Sequence, residues 1–104
     1  MGKYVFVYKG GGGMPETEEE QQSVMAAWGA WFETLGSAVA DMGNPFAGSS
    51  SVSPDGSVGN GGGAGLTGYS IITADSLQDA TGSAKGCPIL ARGGSVEVYE
   101  AVEM

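Results

Sequence analysis

Side chains able to do acid–base, nucleophilic or metal chemistry are few in this 104-residue chain, which has no histidine and one cysteine. Asp41 is the acid of most interest. It stands among Val39, Ala40 and Met42, and a carboxylate in such a strand, turned to the sheet interior, is desolvated and raised in pKa. There it would serve as an acid or base beside Tyr4, Tyr8 or Tyr69, whose hydroxyls would orient a small ligand. Turned to solvent, the same carboxylate has no such chemistry. Tyr4, Tyr8, Asp41 and Tyr69 are thus the ligand-binding candidates, with Asp41 the one weak catalytic candidate.

Nucleophilic catalysis needs a base beside the nucleophile. Ser49, Ser50 and Ser51 have no imidazole to activate them, which leaves only a pairing of a serine with Lys9 or Lys85. Cys87, between Gly86 and Pro88 at a helix exit, reads as a small space-filling hydrophobe. Zinc and copper lack ligands, the carboxylates do not have the alternating spacing of a calcium loop, and no metal or cofactor is expected. Gly63-x-Gly65-x-x-Gly68 spells a dinucleotide fingerprint but leads into a strand, where the fingerprint should open a helix. Glycines 10 to 13 precede a helix start near Lys9, a geometry able to hold an anion. Glu18, Glu19 and Glu20 occupy that same first turn, where they satisfy the helix dipole and would repel a phosphate.

The elements that position these residues follow from period and punctuation. Tyr4 to Tyr8 has no polar residue apart from its tyrosine hydroxyls and predicts a strand covered on both faces. Thr17-x-x-Glu20 is a capping box, followed by an apolar stripe of Val24, Trp28, Trp31 and Leu35 widened by Met25 and Phe32. Gly36 ends that helix, and a short strand is expected over 38–42 before Gly43-Asn44-Pro45. Residues 49–59 predict a hairpin about Pro54-Asp55-Gly56, residues 59–68 a glycine-rich loop, and 69–73 a strand. Asp75-x-x-Gln78 is expected to cap a second helix with an inward stripe of Leu77, Ala80 and Ala84, and 95–102 is a last strand.

Twenty glycines are offset by a 41% hydrophobic share, enough for one small core. The net charge is −8 with only four cations, which disfavours a nucleic-acid backbone or an anionic membrane surface as partner. A single cysteine, short apolar runs and no charged-then-apolar leader predict a soluble cytoplasmic protein. The element order is that of an α+β, ferredoxin-like βαββαβ chain with an inserted hairpin: a four-stranded antiparallel sheet, strand 1 beside the Tyr69 strand at its centre. Two helices cover one face, yet the central strands are apolar on both. A second copy is the simplest cover for the open face.

Lys3-Tyr-Val-Phe-Val-Tyr8, Ala30-Trp-Phe-Glu-Thr-Leu-Gly36, Gly43-Asn-Pro-Phe46, the stretch from Leu66-Thr-Gly-Tyr-Ser-Ile-Ile-Thr to Ala80, Ala84-Lys-Gly-Cys-Pro88 and Gly94-Ser-Val-Glu-Val98 resemble the YCII-related proteins, in particular their DGPF branch. The likeness runs over nearly the whole chain. It implies one YCII-like domain over 1–104, with the hairpin and glycine-rich loop inserted at about 44–68, and a dimeric α+β barrel of two sheets packed face to face. Some members have a His and Asp pair proposed to be catalytic. This chain has no His, so no position receives that pair, and Asn60-Gly-Gly-Gly-Ala-Gly65 stands where Asp-Gly-Pro-Phe is usual. Two readings follow: a dimer binding a small molecule in a cleft between sheet and helices, without His-based catalysis, or a non-catalytic accessory or assembly module.

Overall fold

In the computed structural model, which describes residues 2–10, 17–61 and 65–102, the apolar run forms β1 (Gly2–Lys9). Thr17 caps α1 (Glu18–Leu35), its hydroxyl accepting from the Glu20 N–H at 3.0 Å. Gly36 closes the helix at φ 57°. After a 3-10 turn over Gly36–Ala38, β2 (Val39–Asp41) is shorter than the expected 38–42. Ala38 still belongs to the turn, and Gly43 at φ 76° takes the chain away. A ribbon of β3 (Ser50–Val52) and β4 (Val58–Asn60) follows, then β5 (Leu66–Ala74), α2 (Leu77–Ala84), a 3-10 turn Pro88–Arg92 and β6 (Ser95–Ala101).

The four-stranded sheet runs β2-β5-β1-β6, every pair antiparallel, so β1 and β5 are central as expected. β5 starts earlier than the expected 69 because Leu66 and Gly68 pair with Lys9 and Tyr8. Alternation assigns the faces. Tyr4, Phe6 and Tyr8 of β1, with Ser70 and Ile72 of β5, are buried in one core with Trp31, Ala80 and Ala84. Val5, Val7, Tyr69 and Ile71 lie on the other face, half-buried.

Two details of α2 and one of α1 correct the sequence reading. The cap is Ser76, not Asp75: its extended backbone lets the hydroxyl accept from the Asp79 N–H at 3.1 Å, and the helix starts one residue later. Leu77 therefore opens the first turn, ahead of the packed row Ala80 and Ala84, and is 46% exposed. Met25, at the margin of the α1 stripe, is 74% exposed, because Trp28 and Trp31 carry the contact with the sheet. Gly11–Gly13 and Gly63, parts of the two glycine motifs, lie outside the described residues.

Candidate functional site

The aromatic stripe of α1 fills the space where a cleft between sheet and helices was expected. Trp31 is buried and stacks on Phe6 at 6.0 Å with the planes 22° apart, and Trp28 meets Tyr8 edge-on at 5.0 Å. Phe32 leans on both tryptophans. Trp31 is further held by its indole N–H, which donates to the Ser83 carbonyl at 3.2 Å. Ring packing and one fixed hydrogen bond leave it a rigid wall.

A concavity lies on the far side of Trp31, between α1 and the turn Pro88–Arg92. This groove of about 560 Å³ has Val24, Ala27, Ala30 and Trp31 on its helix side and Gly86, Pro88 and Ala91 opposite. Ser23, Thr34 and Arg92 complete it. Gly86 has a specific role, since a Cβ there would stand 3.3 Å from Trp31 Cδ1. Its absence lets the exit of α2 approach the buried indole closely. The groove is open, its volume is within the range of small-molecule sites, and its lining is mainly apolar. The signal for it in the sequence is a second row, Ser23, Ala27, Ala30 and Thr34, at offsets of four, three and four beside the aromatic stripe.

The four candidate residues are divided between the two sides of the sheet. Tyr4 and Tyr8 are buried on the helix side. The Tyr8 hydroxyl donates to Ser70 Oγ at 2.6 Å, and Ser70 donates in turn to the Met42 carbonyl at 2.6 Å. Burial holds the Tyr8 phenol far above its ordinary pKa, and burial, then Glu100, raises that of Tyr4. Tyr69 lies on the opposite face, its ring stacked on Phe46 at 5.9 Å. Asp41, exposed, is set by register opposite Ile71, and its Oδ1 accepts from the Gly43 N–H at 2.8 Å. The structure thus joins Tyr8 to Ser70 and Tyr69 to Phe46, and brings no carboxylate to a buried tyrosine hydroxyl among the hydrogen bonds of the described residues.

Ser50 and Ser51 are on the exposed ribbon, and Lys9 is opposite Ser95 across β1 and β6. Among the described residues no three His, Cys, Asp or Glu side chains cluster as metal ligands, and no helix is long and apolar enough to cross a membrane. Cys87 is buried, and burial pushes its thiol up to about 11. An unfolded chain loses that proton near pH 9, so it binds fewer protons than the folded chain at higher pH. Folded stability should fall between pH 9 and 11 by about 2 kcal/mol from this group. Urea titrations across that range should show the fall, less steep in Cys87→Ala. An equal slope in both chains contradicts it.

No protein-family model matches the chain, and no curated protein matches it. Among solved structures it is similar to 5-chloro-2-hydroxyhydroquinone dehydrochlorinase (TftG) from Burkholderia phenoliruptrix AC1100, in complex with 2,5-dihydroxybenzoquinone. The TM-score is 0.59 at 16% identity, over 98% of this chain and 95% of that one. At that identity the likeness is one of fold.

Proposed function

We propose that the chain is a YCII-like homodimer that binds a compact, planar, hydroxylated or anionic ring, without catalysing its conversion, in the groove between α1 and Pro88–Arg92. The groove beside Trp31 carries this reading. Small apolar residues beside the indole suit the faces of a flat ring, Ser23 and the charge of Arg92 suit its oxygens, and the Thr34 oxygen, whose proton goes to the Ala30 carbonyl, suits a ligand hydroxyl. The ring in the TftG structure is of this size and kind. Among the described residues the groove lining holds no carboxylate, thiol or imidazole, which is why binding rather than turnover is proposed.

The ligand test uses 2,5-dihydroxybenzoquinone as probe and reads the two indole N–H resonances. Trp31 should shift and saturate below about 1 mM probe, and Ala27→Trp, which fills an exposed part of the groove, should abolish the shift. Unmoved indole signals in the native chain at that concentration overturn the proposed site.

The homodimer rests on the open sheet face. Val5, Val7, Tyr69 and Ile71 are half-buried there without a helix over them, and Tyr99 of β6 extends the patch at 54% exposure. Pairing two such faces removes apolar surface from water on both copies and leaves both grooves, on the helix side, open to ligand. Sedimentation at micromolar concentration should give twice the chain mass. A clean single-chain mass removes the dimer and leaves the groove reading intact.

A further inference from the structure

We infer that the β3–β4 ribbon is an arm that each chain lays on the second copy, an inference that rests on the homodimer proposed above. The ribbon is well formed within itself. Ser50, Ser51 and Val52 pair with Asn60, Gly59 and Val58, and the tip is closed by Ser53 N–H to the Ser57 carbonyl, Gly56 N–H to the Ser53 carbonyl and Ser57 N–H to Asp55 Oδ1. Yet all six strand residues are exposed, and Val52 and Val58, directly opposite each other, are 68% and 71% exposed. A two-stranded ribbon alone in water is marginal, and a cross-strand pair of valines contributes most when something covers it.

Its root says what covers it. Pro45 bridges to Gly68 of β5, the Phe46 N–H donates to the Thr67 carbonyl at 2.8 Å, and the Phe46 ring stacks on Tyr69. The arm therefore springs from the rim of the open face, beside the place a second copy would occupy. Size points the same way. The sheet face is about 26 by 19 Å from its strand lengths and spacing, roughly 500 Å² in projection, so two such faces alone stand near the low end of stable interfaces. An arm from each copy, with the patch it lands on, enlarges that contact.

The shape of one chain fits half of such an assembly: extents of 44 × 40 × 19 Å and a radius of gyration of 15.1 Å, where a compact chain of this length has about 13 Å. Charge agrees as well. Each copy is at −8, but residues 47–61 carry only Asp55 of that charge, so the arm can approach a like-charged copy without strong repulsion.

Two measurements test the arm. Val52→Ser with Val58→Ser alters only exposed side chains, and the dimer dissociation constant by sedimentation should rise about tenfold or more. In a mixture of isotope-labelled and unlabelled chains, intermolecular NOEs should connect the Val52 and Val58 methyl groups to the other copy. A dimer whose dissociation constant is unchanged by the double substitution and that lacks these NOEs overturns the arm and keeps the dimer. A native chain that is monomeric throughout overturns both.

Discussion

Gly43→Ala should lose about 3 kcal/mol or more of folding stability, summing a left-handed backbone penalty and broken hydrogen bonds. Gly43 has φ 76°, and a Cβ built there falls 1.7 Å from the Tyr69 carbonyl oxygen. Backbone atoms on both sides of that contact leave only a shift of the whole crossing as relief. The shift would strain the bonds that fasten this segment: Gly43 N–H to Asp41, Ser70 hydroxyl to the Met42 carbonyl, and Tyr69 N–H to the Asn44 carbonyl. Gly36→Ala is the control, since Gly36 has φ 57° and nothing within 4 Å of its Cβ position. With ψ −126° it lies outside the left-handed helical region, so Gly36→Ala should lose about 1–2 kcal/mol from backbone strain alone, with no collision added. Urea unfolding of the two variants should separate them clearly, and equal losses would show that backbone conformation, not the collision, dominates.

Phe6→Ala should be the most damaging side-chain truncation, at about 3–5 kcal/mol. Phe6 is completely buried, stacked on Trp31, and flanked on its own face by Ser70 of β5 and Val98 of β6. The alanine leaves a void under the indole wall that the paired β-strands cannot close by moving. Against a total of about 5–15 kcal/mol for a small domain, such a loss lowers the melting temperature by about 12 °C or more. Calorimetry should find this at any chain concentration, because Phe6 faces the helices. A drop below about 5 °C would mean that Trp31 and its neighbours collapse into the space.

The framework of the fold was legible because local rules and the global plan agree. Thr17 and Glu20 mark the start of α1 and Gly36 its end, and the two-sided apolar run of β1 marks a central strand. The division of the tyrosines was not legible. Tyr4 and Tyr8 share a face by simple parity, but the face of Tyr69 depends on its pairing with Val7, and register arises from the assembled sheet. Asp41 shows a related limit: in its strand sequence it is an acid among apolar residues, but an edge strand three residues long leaves it exposed beside the turn at Gly43. The groove was hidden for another reason. Its walls come from residues 23–34 and 86–92, and its small side chains matter for the room they leave rather than for any chemistry of their own.

The hydroxyl chain from Tyr8 through Ser70 to the Met42 carbonyl also bears on how the sheet's edge opens. A three-residue edge strand is ordinarily the first part of a sheet to come loose and expose unpaired backbone to other chains. Here the residue just past β2 is tied, from beneath, to two side chains sealed in the core. Releasing that edge takes the acceptor from the buried Ser70 hydroxyl while Tyr8 still donates to it, a cost of about 1–3 kcal/mol that holds β2 to the core. Amide protons at the β2–β5 pairing should therefore exchange about tenfold or more slowly in the native chain than in Ser70→Ala, where the short strand opens more freely.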